Sequence, residues 1–113
     1  MRLNLLLFLI AFIPIFGFAQ TKYQRGERAL ENGNYAQAVD YFQKAYEETP
    51  NPDIHKKVIF ASSLKKEFAA FEAALQNNNF TDAETHLDNV LMLDLANQFV
   101  EAKRNQIKEK QEI

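Results

Sequence analysis

The chain has 113 residues, with 13 basic against 15 acidic side chains for a net charge of −2, no cysteine and only three glycines. The absence of thiols removes disulfides, thiol catalysis and cysteine-based metal centres. The acidic balance argues against general nucleic-acid binding, which needs a basic face to displace counterions, and so few glycines leave no backbone cradle for phosphate.

The chain opens with the layout of a secretory leader. Met1-Arg2 supplies positive charge, Leu3 to Phe16 is almost unbroken apolar sequence, and Gly17-Phe18-Ala19 puts small residues where a signal peptidase inspects them. Cleavage is expected between Ala19 and Gln20, which makes 1–19 a signal peptide and 20–113 the exported domain, periplasmic or secreted. The apolar run is shorter than the roughly 20 residues of a membrane span, and Pro14 interrupts it. No membrane span is therefore expected after cleavage, and a retained anchor is the alternative. No cysteine follows the run, so a lipid-modified start is excluded. Losing Arg2 makes the remainder one unit more acidic. A domain this small, with no disulfide, depends wholly on its apolar core.

A first helix is expected over Thr21 to Glu31, with Thr21 as N-cap. Glu31-Asn32-Gly33-Asn34-Tyr35 breaks it with a Gly-Asn turn. The second helix runs from Tyr35 to Thr49. Its Ala38, Val39, Phe42, Ala45 and Tyr46 recur at helical spacing and form one apolar stripe. Pro50 and Pro52, on either side of Asn51, stop it.

This helical hairpin resembles the tetratricopeptide repeat, whose pattern runs W-x2-L-G-x2-Y, then A-x3-F, then P. Gly26 stands at the family's glycine. Ala38 with Phe42 gives A-x3-F, Ala45 is the small residue that follows, and Pro50 is the terminal proline. Gly33-Asn34-Tyr35 fits the turn and the aromatic after it. The resemblance covers about 19–52. Lys22, Arg25 and Ala29 replace the Trp, Leu and Tyr. Polar residues there suit a first repeat, whose outer face meets solvent.

A second, degraded copy emerges when the sequence is slid by 45 residues. Glu27, Ala29, Leu30, Asn32, Asn34 and Ala38 then lie over Glu72, Ala74, Leu75, Asn77, Asn79 and Ala83. Tyr35, Phe42 and Ala45 lie over Phe80, Leu87 and Val90. This copy spans about 64–97. Glu67, Ala70, Phe71 and Leu95 stand where the family has Trp, Leu, Gly and Pro. The large Phe71 is expected to hold the paired helices apart or to point elsewhere.

The offset exceeds the family's 34-residue period by 11, about three helical turns. Three whole turns lengthen a helix without rotating its faces. One unbroken helix is therefore expected over about 53–77, capped by Asp53, with Ile54, Val58, Ala61, Leu64, Phe68, Phe71 and Leu75 on one side. A kink at Ser62-Ser63 is the alternative. Asn77-Asn78-Asn79 reads as a turn that tolerates left-handed backbone without glycine. The fourth helix is expected from Thr81 to about Asp94, burying Phe80, Ala83, Leu87, Val90 and Leu91. With Leu95 in place of a proline, it joins the fifth through a tight bend or runs straight on. The fifth, from about Ala96 to Glu112, offers only Phe99, Val100, Ala102 and Ile107 as apolar contacts and reads as a solvating cap. Its Lys103, Arg104, Lys108 and Lys110 are interrupted by Glu101, Glu109 and Glu112, which argues against a basic binding strip.

The expected fold is all-α: a tetratricopeptide-like stack of antiparallel hairpins with an elongated central helix and a C-terminal cap. No catalytic or metal site is expected, and no cofactor. His55 and His86 are far apart and read as separate surface residues, and no catalytic motif is present. The resemblance implies binding of a protein or peptide in a groove lined by the first helix of each unit. That groove would comprise Tyr23, Glu27, Leu30 and Glu31, then Phe68, Glu72, Leu75 and Gln76. Aromatics beside carboxylates suit an apolar segment with positive charge. The same residues also read as core. The function implied is a non-catalytic exported adaptor. The alternative is a structural subunit of an envelope complex, or a homo-oligomer, with no separate ligand site, since two repeats fall short of the three usually needed for stability.

Overall fold

The computed structural model describes residues 21–112. The expected leader 1–19 and the expected cleavage between Ala19 and Gln20 lie outside the described residues. Five helices follow in order: α1 Lys22–Glu31, α2 Tyr35–Glu48, α3 Pro52–Gln76, α4 Phe80–Leu93 and α5 Val100–Gln111. No strand occurs among the described residues. Each helix packs chiefly on its neighbours in sequence, which gives an all-α stack of antiparallel hairpins.

Local chemistry sets the helix ends. Thr21 caps α1 reciprocally: its hydroxyl accepts from the Gln24 N–H at 3.1 Å, and the Gln24 amide oxygen accepts from the Thr21 N–H at 3.1 Å. At α3 the cap is Asn51 rather than Asp53. The Asn51 side chain accepts from the Asp53 N–H at 2.8 Å, and Pro52 takes the first helical position. A proline fits there because its missing N–H would have had no helical partner.

The two interhelical turns are near copies. Gly33 at φ 75° and Asn78 at φ 60° occupy the left-handed region. In the first turn Gly33 N–H donates to Leu30 O at 3.0 Å, and Asn34 N–H to Ala29 O at 2.8 Å. In the second, Asn78 N–H donates to Leu75 O at 3.1 Å, and Asn79 N–H to Ala74 O at 2.8 Å. Every partner is displaced by the same 45 residues. Asparagine replaces glycine because its short polar side chain tolerates this backbone.

α3 runs 25 residues without a break, so the kink at Ser62-Ser63 does not occur. Ala61, Leu64, Phe68, Phe71 and Leu75 are all buried along one side of it. The core falls into two clusters. One gathers Ala29, Ala38, Phe42 and Ala61; the other gathers Tyr35, Leu64, Phe68, Phe71, Leu75, Ala83, Leu87, Val90, Val100 and Ile107. Leu30 packs against both. Among the described residues no charged side chain is buried, and the one phenol in the core, Tyr35, is hydrogen-bonded.

The fourth and fifth helices neither meet at a tight bend nor run on. Asp94 to Phe99 form a loop, and α5 starts at Val100, later than the expected Ala96. Asn97 makes the break. Its side chain accepts from the Phe99 N–H at 3.0 Å and donates to Asp94 Oδ2 at 3.1 Å and to the Tyr35 hydroxyl at 3.0 Å. A side chain that satisfies local groups in this way competes with helix continuation.

Gly26 and Phe71 hold equivalent places in the two units and solve different problems. A Cβ on Gly26 would lie 2.7 Å from two carbons of the fully buried Phe42 ring, so α1 and α2 approach closely only because it is glycine. Phe71 is 0% exposed and belongs to the cluster that holds Leu87, Val100 and Ile107. The ring that breaks the family pattern thus helps make the apolar seat for α5.

Gly26→Ala should lower stability by about 1–2 kcal/mol, overpacking against Phe42 outweighing the gain in helix propensity. Thermal unfolding should show a midpoint lowered by roughly 5 °C or more, and an unchanged midpoint would contradict the close approach. A second outcome concerns alkaline pH. Burial raises the Tyr35 phenol above its usual 10.0; the hydrogen bond from Asn97 opposes this and the Asp94 charge adds to it. The folded state then holds the phenolic proton more tightly than the unfolded chain does. That stability is intact below the unfolded value and is lost as pH rises through the folded one. Denaturant midpoints should be flat to about pH 9 and fall above 10. Tyr35→Phe should lose about 1 kcal/mol at neutral pH and show a shallower alkaline fall.

Candidate functional site

The residues expected to line a groove meet different fates. From the first unit, Tyr23 is half-buried, its ring edge-on to Phe42 with centroids 5.4 Å apart. Its phenol is raised by burial first, then by the nearby charges of Glu27 and Asp53. Glu27 is half-exposed and Glu31 exposed, and neither carboxylate has an ion-pair partner among the described residues. Tyr23, Glu27 and Glu31 recur every four residues and form one stripe along α1. Leu30, half-buried, belongs to the core beneath.

From the second unit, Phe68 and Leu75 are core. Phe68 is 8% exposed and lies parallel to the Tyr35 ring, centroids 5.0 Å apart; Leu75 is 9% exposed. Glu72 accepts from Lys103 Nζ at 2.7 Å, and the same ammonium lies 5.8 Å from the centre of the Phe71 ring. Gln76 remains exposed. The two halves of the expected groove are therefore not alike.

The chain's own C-terminal segment explains the difference. Phe99 stands edge-on to Tyr35, centroids 6.4 Å apart, and a Cβ on Gly33 would come within 2.9 Å of its ring. Gln98 Nε2 donates to the Glu31 carbonyl at 2.6 Å and Lys110 Nζ to the Leu75 carbonyl at 2.6 Å. The first bond satisfies a carbonyl left open at the end of α1, and the second adds a donor to the Leu75 carbonyl, which already accepts from the Asn78 N–H. Arg104 bridges to Glu84 at 3.2 Å and Asp88 at 2.6 Å, and the hydrogen bond to Glu84 is the main reason its pKa is raised. Within 97–110 the chain thus reaches α1, α2, α3 and α4. A helix read as a solvating cap carries in its approach loop the groups that lock both hairpins. Sequence spacing could not reveal this, because Asn97 finds Tyr35 across 62 positions.

The position where the family carries tryptophan holds a charged residue in both units, and each reaches its own hairpin partner. Lys22 pairs with Glu48. Glu67 Oε2 lies 2.8 Å from His86 Nδ1 and accepts from Asn89 Nδ2 at 3.3 Å. His86 is thus half-buried and paired rather than a separate surface residue. His55 is exposed, its ring 5.2 Å from that of Tyr46. Among the described residues no three His, Asp or Glu side chains converge as metal ligands would, and no helix is long and apolar enough to cross a membrane.

Searches of curated proteins and of solved structures give no match. The family model of the tetratricopeptide repeat matches residues 19–52. That interval holds α1, the Gly33 turn, α2 and the proline stop, with Gly26, Ala38, Phe42 and Ala45 all buried at their family positions. Residues 19–52 are accordingly a tetratricopeptide-repeat unit.

Proposed function

We propose that the chain is a non-catalytic, exported adaptor that holds a protein segment against α1. The tetratricopeptide unit supports protein–protein interaction as the general role. What carries the finer reading is the asymmetry of the two units. The chain fills its own second-unit face with Phe99 and Lys103, while the Tyr23–Glu27–Glu31 stripe keeps two carboxylates with no ion-pair partner among the described residues, beside a half-exposed ring. An apolar segment with lysine or arginine is the complement of that stripe, and the aromatic would anchor it. The secretory layout of 1–19 supports export.

The test is crosslinking in cells followed by capture, comparing the natural chain with Glu27→Lys plus Glu31→Lys. The changes are on the surface and should leave helix content intact, while partner recovery should fall about tenfold or more. Equal recovery would remove α1 as the binding face. For export, the mass of the protein isolated from the extracytoplasmic fraction should correspond to a start at Gln20. A chain retaining Met1 would contradict the leader.

A further inference from the structure

Four large apolar side chains are exposed among the described residues: Ile59 at 53%, Met92 at 85%, Leu93 at 42% and Leu95 at 86%. Three of them fall within four residues, at the end of α4 and just past it. Met92 and Leu93 line a groove of about 320 Å³ between α3 and α4, with Ser63, Lys66, Glu67 and Asn89 as its other walls. Ile59 lies one turn before Ser63 on the same side of α3. Solvent-exposed apolar groups gathered in this way mark an interaction surface.

The charge of the groove selects the occupant. Glu67, its one carboxylate, is already engaged by His86 and Asn89. Lys66 on the wall, and Lys56 one turn beyond Ile59, have no ion-pair partner among the described residues. Lys56, Ile59, Ser63 and Lys66 are spaced three, four and three apart, the seam along which one helix packs on another. Pairing this seam with itself would set lysines against lysines, so a second copy is a poor fit. We infer that the α3–α4 groove docks an amphipathic helix of another protein, whose leucine-like side chains cover Ile59, Met92 and Leu93 and whose carboxylates meet Lys56 and Lys66. This surface is separate from the α1 stripe and takes a partner of opposite charge.

The probe is a fluorescein-labelled synthetic helix of about 18 residues, enough to lie along α3, with leucines on one face and glutamates beside them. Its twin carries lysines in place of the glutamates. Anisotropy should rise on adding the protein to the acidic peptide and not to the basic one. Lys66→Glu and Met92→Ser, both exposed, should each weaken binding about tenfold. Glu27→Lys plus Glu31→Lys should leave it unchanged, which separates this site from the α1 face. Equal binding of both peptides, or unchanged affinity in Lys66→Glu, would overturn the proposal. So would sedimentation showing a dimer that Met92→Ser dissociates, because a second copy would then be the occupant.

Discussion

Everything in this fold hangs on the fact that eleven residues make three turns of helix. α3 exceeds the family's allotment by that amount, and its buried side chains from Ala61 to Leu75 stay in line. An extension of nine or thirteen residues would have turned Phe71 and Leu75 out of the core, because each residue rotates the helix by about 100°. What the extension does change is position along the axis. The second hairpin is carried roughly 16 Å further along α3 than a standard repeat would place it. Phe68 thereby meets Tyr35, from the start of α2, instead of standing free on an inner face.

The loop before α5 packs beside the end of α1. Phe99 occupies the corner between Gly33, Tyr35 and Phe68, while α5 lies over Phe71. Two repeats rarely bury enough apolar surface to stand alone. Here Val100 and Ile107, each 2% exposed, complete the second cluster. The family's glycine would have left a hole at position 71, so the departure from the pattern and the presence of the last helix belong together.

Much of this architecture was legible in the sequence. The spacing of apolar residues located α3 to within a residue at each end, and the self-match foretold two turns whose hydrogen bonds coincide. Ala38, Phe42, Ala83 and Leu87 recur at helical spacing on the apolar sides of their helices and are fully buried. Periodicity names the apolar face of a helix but not what covers it, which is why Phe68 and Leu75 could be read equally as groove or core. The break at Asn97 leaves no signal in the sequence because it lacks glycine and proline and depends on a hydroxyl from the far side of the fold. Met92 and Leu93 did leave a signal: they lie off the stripe of Ala83, Leu87 and Val90. Large apolar residues outside the stripe of a helix deserve the question of what they wait for.

Repeat arrays ordinarily behave like a row of dominoes, each unit leaning only on the next, so that fraying starts at an end and spreads inward. Gln98 ties the last segment to the end of α1, and Lys110 ties it to the end of α3. The last segment thereby bridges back to the first hairpin. Neither terminal hairpin can peel away without opening a bond made by the other, so protection against amide exchange should rise and fall together across the molecule instead of grading from one edge to the other.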